Sequence, residues 1–155
     1  MANINIDYTK TRIAKLREYL ISIIDLLIDG DDYQLNADML SNDSNNYSLD
    51  KIPTESKVNK WINGDETHKD IFSFRSRNSY SEDTINNLIN IGFFENFEQL
   101  IKQNNDNKIL PEIDGIIKIE CLNCGTLIDA TSNTAMFDIQ IQITYMVVKH
   151  IVTSL

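Results

Sequence analysis

Apolar residues recur along this chain with two periods, and each period predicts a different element. Between Asp7 and Asp29, the positions Ile13, Leu16, Leu20, Ile23, Ile24, Leu27 and Ile28 form one broad stripe at helical spacing. Lys10, Arg12, Lys15, Arg17 and Glu18 fill the opposite side. Gly30 is a natural stop just past the last apolar turn. A helix of this kind, about 33 Å long at 1.5 Å per residue, cannot bury its stripe alone. It needs a sheet to lie on.

The alternating period appears later. Short strands are expected near Leu35–Leu40 and Tyr47–Ile52, around the polar, turn-rich Ser41–Asn46. That loop reads as flexible, or ordered only by a partner. Lys57–Ile62 and Thr67–Arg77 read as a hairpin joined by Asn63-Gly64, a pair suited to a type I′ turn. In its second strand Phe72 and Phe74 share one face, and Arg75 and Arg77 share the other. Ser79-Tyr80-Ser81-Glu82 fits a capping box, with Ser81 as a rival cap. Ile85, Leu88 and Ile89 follow on a helix that Gly92 interrupts or kinks. Phe93, Phe97, Leu100 and Ile101 then continue the stripe until the Gln103–Lys108 segment.

The C-terminal third is β. Ile117, Ile119 and Cys121 alternate with Lys118 and Glu120. A further strand over Leu127–Thr131 turns at Ser132-Asn133. In the last strand Phe137, Ile139, Ile141, Ile143, Tyr145 and Val147 alternate with Asp138, Gln140, Gln142 and Thr144. This is the cleanest signal in the chain, a long antiparallel strand with one buried face. The pattern predicts an α+β fold: a mainly antiparallel β-sheet, with a long N-terminal helix and a second helix packed on it. The length of 155 residues suits a single domain over 1–155.

Composition narrows the function classes. A net charge of −9 argues against a nucleic-acid clamp or an anionic membrane surface as the main partner. The first residues lack the basic and apolar regions of a secretory leader, and no apolar run approaches the roughly 20 residues of a membrane span. These features predict a cytoplasmic chain that leaves the cell only inside a particle.

Candidate chemistry is sparse. Cys121-Leu122-Asn123-Cys124 is a lone C-x-x-C, without a second pair or a nearby histidine pair. A core cysteine plus a turn cysteine is favoured over a zinc or redox site. His68 and His150 read as solvent or interface histidines. Asp29, Asp31 and Asp32 with Gly30 read as an acidic helix end, since the spacing fails a calcium loop. Trp61 reads as core or subunit packing. The sequence carries no nucleophile–base pattern and no Gly-rich phosphate loop. The expectation is therefore no catalytic residue, no metal site and no cofactor. Arg75 and Arg77 are the main basic feature. They suit a solvated strand face with carboxylate neighbours, an intersubunit salt bridge or a contact to DNA.

Several local patterns carry a resemblance. They are Trp61-Ile62-Asn63-Gly64-Asp65, Phe72-x-Phe74-x-Ser76-Arg77-x-x-Tyr80, Gly92-Phe93-Phe94-Glu95-Asn96-Phe97, Lys118-Ile119-Glu120 followed by Gly125, and Ala130 through Gln140. In this order, from about Pro53 to Tyr145, the chain resembles the tail terminator proteins of phages, prophages and phage-tail-like bacteriocins of Gram-positive bacteria. These are also called tail completion or minor capsid proteins. The resemblance implies a homo-oligomeric ring, commonly a hexamer, that caps the tail tube and ends its polymerisation. It implies partners in the tail tube protein and in head, neck connector or sheath proteins, with DNA passing at most transiently through the lumen. It also implies a place at the tail top, first in the host cytoplasm and then in the virion or tail particle. Arg75, Arg77 and Tyr80, at the strand-to-helix corner, are the implied subunit interface. The alternatives are a head–tail joining or neck protein, a small metal- or ligand-binding protein, and a regulatory module that binds a host protein.

Overall fold

Thr11 starts the first helix. Its hydroxyl accepts a hydrogen bond from the backbone N–H of Ala14 at 3.3 Å, which satisfies one of the free donors of the first turn. Helix α1 then runs over Arg12–Leu27, so it begins at Arg12 and not at Asp7. The computed structural model describes residues 10–27, 34–37, 46–53, 57–79, 84–123, 126–130 and 134–148. Gly30, the Asp29–Asp32 cluster and Ser41–Asn45 lie outside them, whereas Asn46 is the first residue of a strand. The helical stripe is buried at Leu16, Leu20, Ile23 and Ile24, and Tyr19 joins it. The Tyr19 hydroxyl donates to the carbonyl of Ile109 at 2.9 Å.

The strands are β1 (Gln34–Ala37), β2 (Asn46–Ile52), β3 (Lys57–Lys60), β4 (Glu66–Ser79), β5 (Ile116–Cys121), β6 (Thr126–Ala130) and β7 (Thr134–Val147), with α2 (Thr84–Asp106) between β4 and β5. They form one seven-stranded sheet in the order β1-β2-β4-β7-β5, with β3 beside β4 and β6 beside β7. Only β1 and β2 run parallel. The architecture is the α+β arrangement of helices on a mainly antiparallel sheet.

Long strands β4 and β7 pair along their whole length, from Glu66 opposite Val147 to Ser79 opposite Thr134. That register puts Phe72 across from Ile141 and Phe74 across from Ile139. With Tyr47, Leu49, Ile119, Phe137, Ile143 and Tyr145, these residues make the face on which the helices pack. Phe74 is fully buried between the rings of Tyr47 and Phe97, with centroids 5.5 and 5.0 Å away. Phe94 brings α2 onto Phe137. Truncating such a ring to alanine costs about 3–5 kcal/mol. The alternation of β7 and the opposite facing of Phe72/Phe74 and Arg75 are as the pattern predicts.

Four details differ from the sequence expectation. The hairpin turn is not type I′. Gly64 N–H donates to the Trp61 carbonyl at 3.0 Å, and Trp61 N–H donates to the Asp65 carbonyl at 2.7 Å. Only Gly64, at φ 94°, takes positive φ in this turn. The Asn63 side chain closes the loop, accepting from Asp65 N–H and donating to the Asp65 carboxylate, each at 3.0 Å. An asparagine that bonds the backbone two residues on needs no left-handed conformation itself.

Secondly, α2 passes through Gly92 without a break. Phe93 against Tyr47 and Phe97 against Phe74 hold the turns that follow this position to the sheet, which overrides the weak helix propensity of one glycine. Thirdly, Ser79 is the last residue of β4, paired with Thr134, so it does not cap α2; Ser81 and Glu82 lie outside the described residues. Fourthly, the register of β5 shifts between Ile116 and Lys118. Ile117 is the extra residue of a β-bulge and is exposed, and Ile116 takes its place against the core.

Candidate functional site

Of the interface residues implied at the strand-to-helix corner, Arg75 is the one whose side chain is described. Arg75 stands on the sheet face away from the helices. Its Nε donates to Ser73 Oγ at 3.2 Å, and its guanidinium lies 3.6 Å from the Asp50 carboxylate. Ser73 in turn donates to Asp138. Arg75 therefore has carboxylate and hydroxyl partners within its own subunit, and its side chain is half-exposed. Arg77 pairs through its backbone with Asn46 and Met136; its side chain, and all of Tyr80, lie outside the described residues.

Polar residues dominate this face. The registers place Ser48, Asp50, Ser73, Arg75, Asp138, Gln140, Gln142, Thr144, Lys118 and Glu120 on it. Gln142 donates to Glu120 at 3.0 Å, and Lys118 pairs with Glu120 at 3.2 Å. Ser48, Ser73, Gln142 and Thr144 on this face are buried, and cross-strand pairs of this kind hold such polar groups in order.

Apolar exposure gathers at one end of the sheet. Glu66 pairs with Val147, so the Trp61–Asp65 tip and Val148 leave the sheet at the same end. Ile62 is fully exposed, and Val148 and Trp61 are more than half exposed. Ile117 projects from the bulge nearby, where Ile116 pairs with Tyr145. Trp61 is held by a hydrogen bond from its indole N–H to Thr67 Oγ1 at 2.9 Å. Trp61 is thus fixed in place but more than half exposed, so it is not packed in the core.

Cys121 is half-buried, facing the core side of β5 opposite Ile141. Cys124 and His150 lie outside the described residues. Among the described residues no three His, Cys, Asp or Glu side chains gather to hold a metal, and no helix is long and apolar enough to cross a membrane. His68 departs from a solvent-facing reading. It lies 2.9 Å from the Glu66 carboxylate and stacks on Tyr145, with ring centroids 5.5 Å apart.

The most charged arrangement in the core is one that sequence reading passed over. Asp70 lies on the apolar side of β4, in line with Phe72 and Phe74, and is only 1 % exposed. Arg12 Nε donates to its Oδ2 at 3.2 Å, the Tyr145 hydroxyl donates at 3.1 Å, and Lys51 Nζ approaches to 3.9 Å. The Arg12 guanidinium also lies over the Tyr145 ring, 4.6 Å from its centroid. Burial, and then the charge of Asp70, hold the Tyr145 phenol above its ordinary range, against the pull of Arg12. Among the described residues Oδ1 of Asp70 has no hydrogen-bond partner. Beside it opens a cavity of about 650 Å³, lined by Lys10, Arg12, Lys15, Lys51, Glu112 and Asp114 among others. One signal was legible: Asp70 occupies a core-facing position by the period of two. Its partners were not, because Arg12 and Tyr145 are remote in sequence. No protein-family model matches the sequence, and no curated protein matches it.

Proposed function

We propose that the protein is a structural assembly subunit, a tail terminator that forms a ring on the end of a phage-type tail tube. The observation that carries this reading is the pair of unlike open edges of the sheet. One outer edge is β1, parallel to its neighbour, with β3, antiparallel to its own; the other is β5 with β6, both antiparallel to theirs. Among the described residues neither edge has a further strand partner. Open edges invite pairing with another chain. When the two edges differ, copies join head to tail, and such contacts generate a closed ring if the rotation closes.

The resemblance of the chain from about Pro53 to Tyr145 supports the same reading, as do the helices on one face of a mainly antiparallel sheet. The Trp61–Ile62 tip and Val148 form an apolar end suited to the tube rim. The acidic composition lets DNA pass a lumen without sticking.

The test mixes purified protein with tail tubes assembled from the cognate tube protein, images tube ends by negative stain, and measures mass by native mass spectrometry. Caps on one end with growth halted are expected, and Ile62→Asp is expected to stay folded and lose end binding. A monomer that leaves tubes growing overturns the reading. A monomer or ring that binds the head connector and not the tube transfers the protein to the neck.

A further inference from the structure

Asn63-Gly64 is the one Asn-Gly pair in this sequence, and it sits at the apolar tip between β3 and β4. Such a pair is chemically labile in water, because glycine has no Cβ to shield its amide nitrogen from the asparagine side chain before it. Asn63 is exposed, so solvent reaches it. The folded turn nevertheless holds each group that would react. Asn63 Oδ1 accepts from Asp65 N–H, Asn63 Nδ2 donates to Asp65 Oδ2, and Gly64 N–H donates to the Trp61 carbonyl, each at 3.0 Å. Asp65 is only 6 % exposed, and its carbonyl accepts from Trp61 N–H at 2.7 Å, so the residue that clasps Asn63 is itself fixed.

We propose that Asn63 is a deamidation site which the closed turn holds unreactive, and whose reaction opens the Trp61–Ile62 tip. In the reaction Gly64 N attacks Asn63 Cγ. A Cγ–N bond forms, the Cγ–Nδ2 bond breaks, and the proton of the Gly64 amide leaves with Nδ2 as ammonia. Water then adds to either carbonyl of the cyclic imide and breaks one of its C–N bonds, which leaves aspartate or isoaspartate at position 63. The first step needs the Asn63 amide to turn from Asp65 towards Gly64 N, and the Gly64 N–H to leave the Trp61 carbonyl. Hydrogen bonds lost before the reaction add to its barrier, so the clasp slows it.

The product cannot restore the clasp. An aspartate at position 63 sets an oxygen where Nδ2 donated, so two carboxylates meet across the span of the former hydrogen bond and repel. Isoaspartate also adds a carbon to the main chain of the turn, between the Trp61 and Asp65 groups that close it. Either product releases the backbone bonds that set Trp61 beside Thr67, and Ile62 moves with it. The modification therefore consumes the most exposed apolar surface of the chain in subunits whose turn has opened. This holds whatever the tip contacts, so it is independent of the ring reading above.

The experiment incubates the full chain at mildly alkaline pH, folded and in unfolding urea, and follows Asn63 by peptide mass spectrometry. Conversion at Asn63 is expected in urea, and slower by about tenfold or more in the folded chain. Asp65→Ala, which removes the acceptor of the Asn63 amide, is expected to raise the folded rate by about tenfold. Trp61 is the single tryptophan, so its fluorescence reports the tip. Asn63→Asp is expected to move that emission to longer wavelength with an unchanged far-ultraviolet circular dichroism spectrum. Equal rates in the folded chain and in urea overturn the proposal, as does an Asn63 that keeps its amide in both. An unchanged rate in folded Asp65→Ala, or unchanged emission in Asn63→Asp, also overturns it. If Asp65→Ala does not fold, the urea comparison and the Asn63→Asp emission decide.

Discussion

Arg12 and Asp70 are 58 positions apart in sequence and share a hydrogen bond of 3.2 Å, which ties the first turn of α1 to the middle of the sheet. The Arg12 side chain is half-exposed and Asp70 is buried, so the pair has one wet and one dry member. Removing the wet member leaves a buried charge with one fewer donor. Arg12→Met is expected to lower stability by about 1–2 kcal/mol. Arg12→Met with Asp70→Leu is expected to cost less than the sum of the two single changes, because the charge leaves with its partner. Urea unfolding of the four proteins measures the coupling.

Two glycines give opposite predictions. Gly115 has φ 74°, and a Cβ built there meets the Met146 carbonyl oxygen at 2.2 Å. That same residue donates its N–H to the Gly115 carbonyl at 2.8 Å, so neither backbone can retreat cheaply. Gly115→Ala is expected to destabilise by about 3 kcal/mol or more, or to abolish soluble expression. Gly92 lies inside α2 with nothing within 4 Å of a built Cβ. Gly92→Ala is expected to raise stability by about 0.5–1 kcal/mol. Thermal midpoints of the two variants check both signs.

Lys108 carries a strained backbone at the end of α2. Its φ is 61°, its N–H donates to Asn105, and Ile109 N–H donates to Asn104. This is a Schellman ending with lysine where glycine is usual. Lys108→Gly is expected to stabilise by about 0.5–1 kcal/mol, visible as a higher urea midpoint at unchanged slope.

Tyr145 and Tyr19 both hold their protons more tightly when folded, chiefly through burial. A group whose pKa is raised on folding contributes stability fully present below its unfolded value, here about 10, and lost as pH rises through the folded value. Stability is therefore expected to fall above about pH 10, and Tyr145→Phe is expected to flatten that fall. Urea midpoints across the alkaline range decide; an unchanged slope in the variant would show that Tyr145 takes no part.

The facing of β7 was legible because strand alternation follows from backbone geometry. Phe137, Ile139, Ile141, Ile143 and Tyr145 are all buried, as their period of two requires. Ile117 broke the same rule. Its alternation with Lys118 and Glu120 read as regular, but pairing with β7 inserted a bulge, and the choice of bulged residue depends on the partner strand. The candidate site divides in the same way. Arg75 was visible as a basic residue on the outward face. Its engagement with Asp50 and Ser73 required knowledge of which strand lies alongside.

By itself, the sequence determined two amphipathic helices and a set of alternating strands, because the periods of 3.6 and 2 are local properties of the backbone. It also determined which side of β4 and β7 is apolar. Tertiary structure alone decided that β1 runs parallel to β2, that α2 continues through Gly92, and that Asn63 closes its turn by side chain. It alone placed Arg12, Lys51 and Tyr145 around Asp70. The physical reason is the same in each case: these outcomes depend on contacts between segments far apart in the chain, and no local period encodes which segments meet.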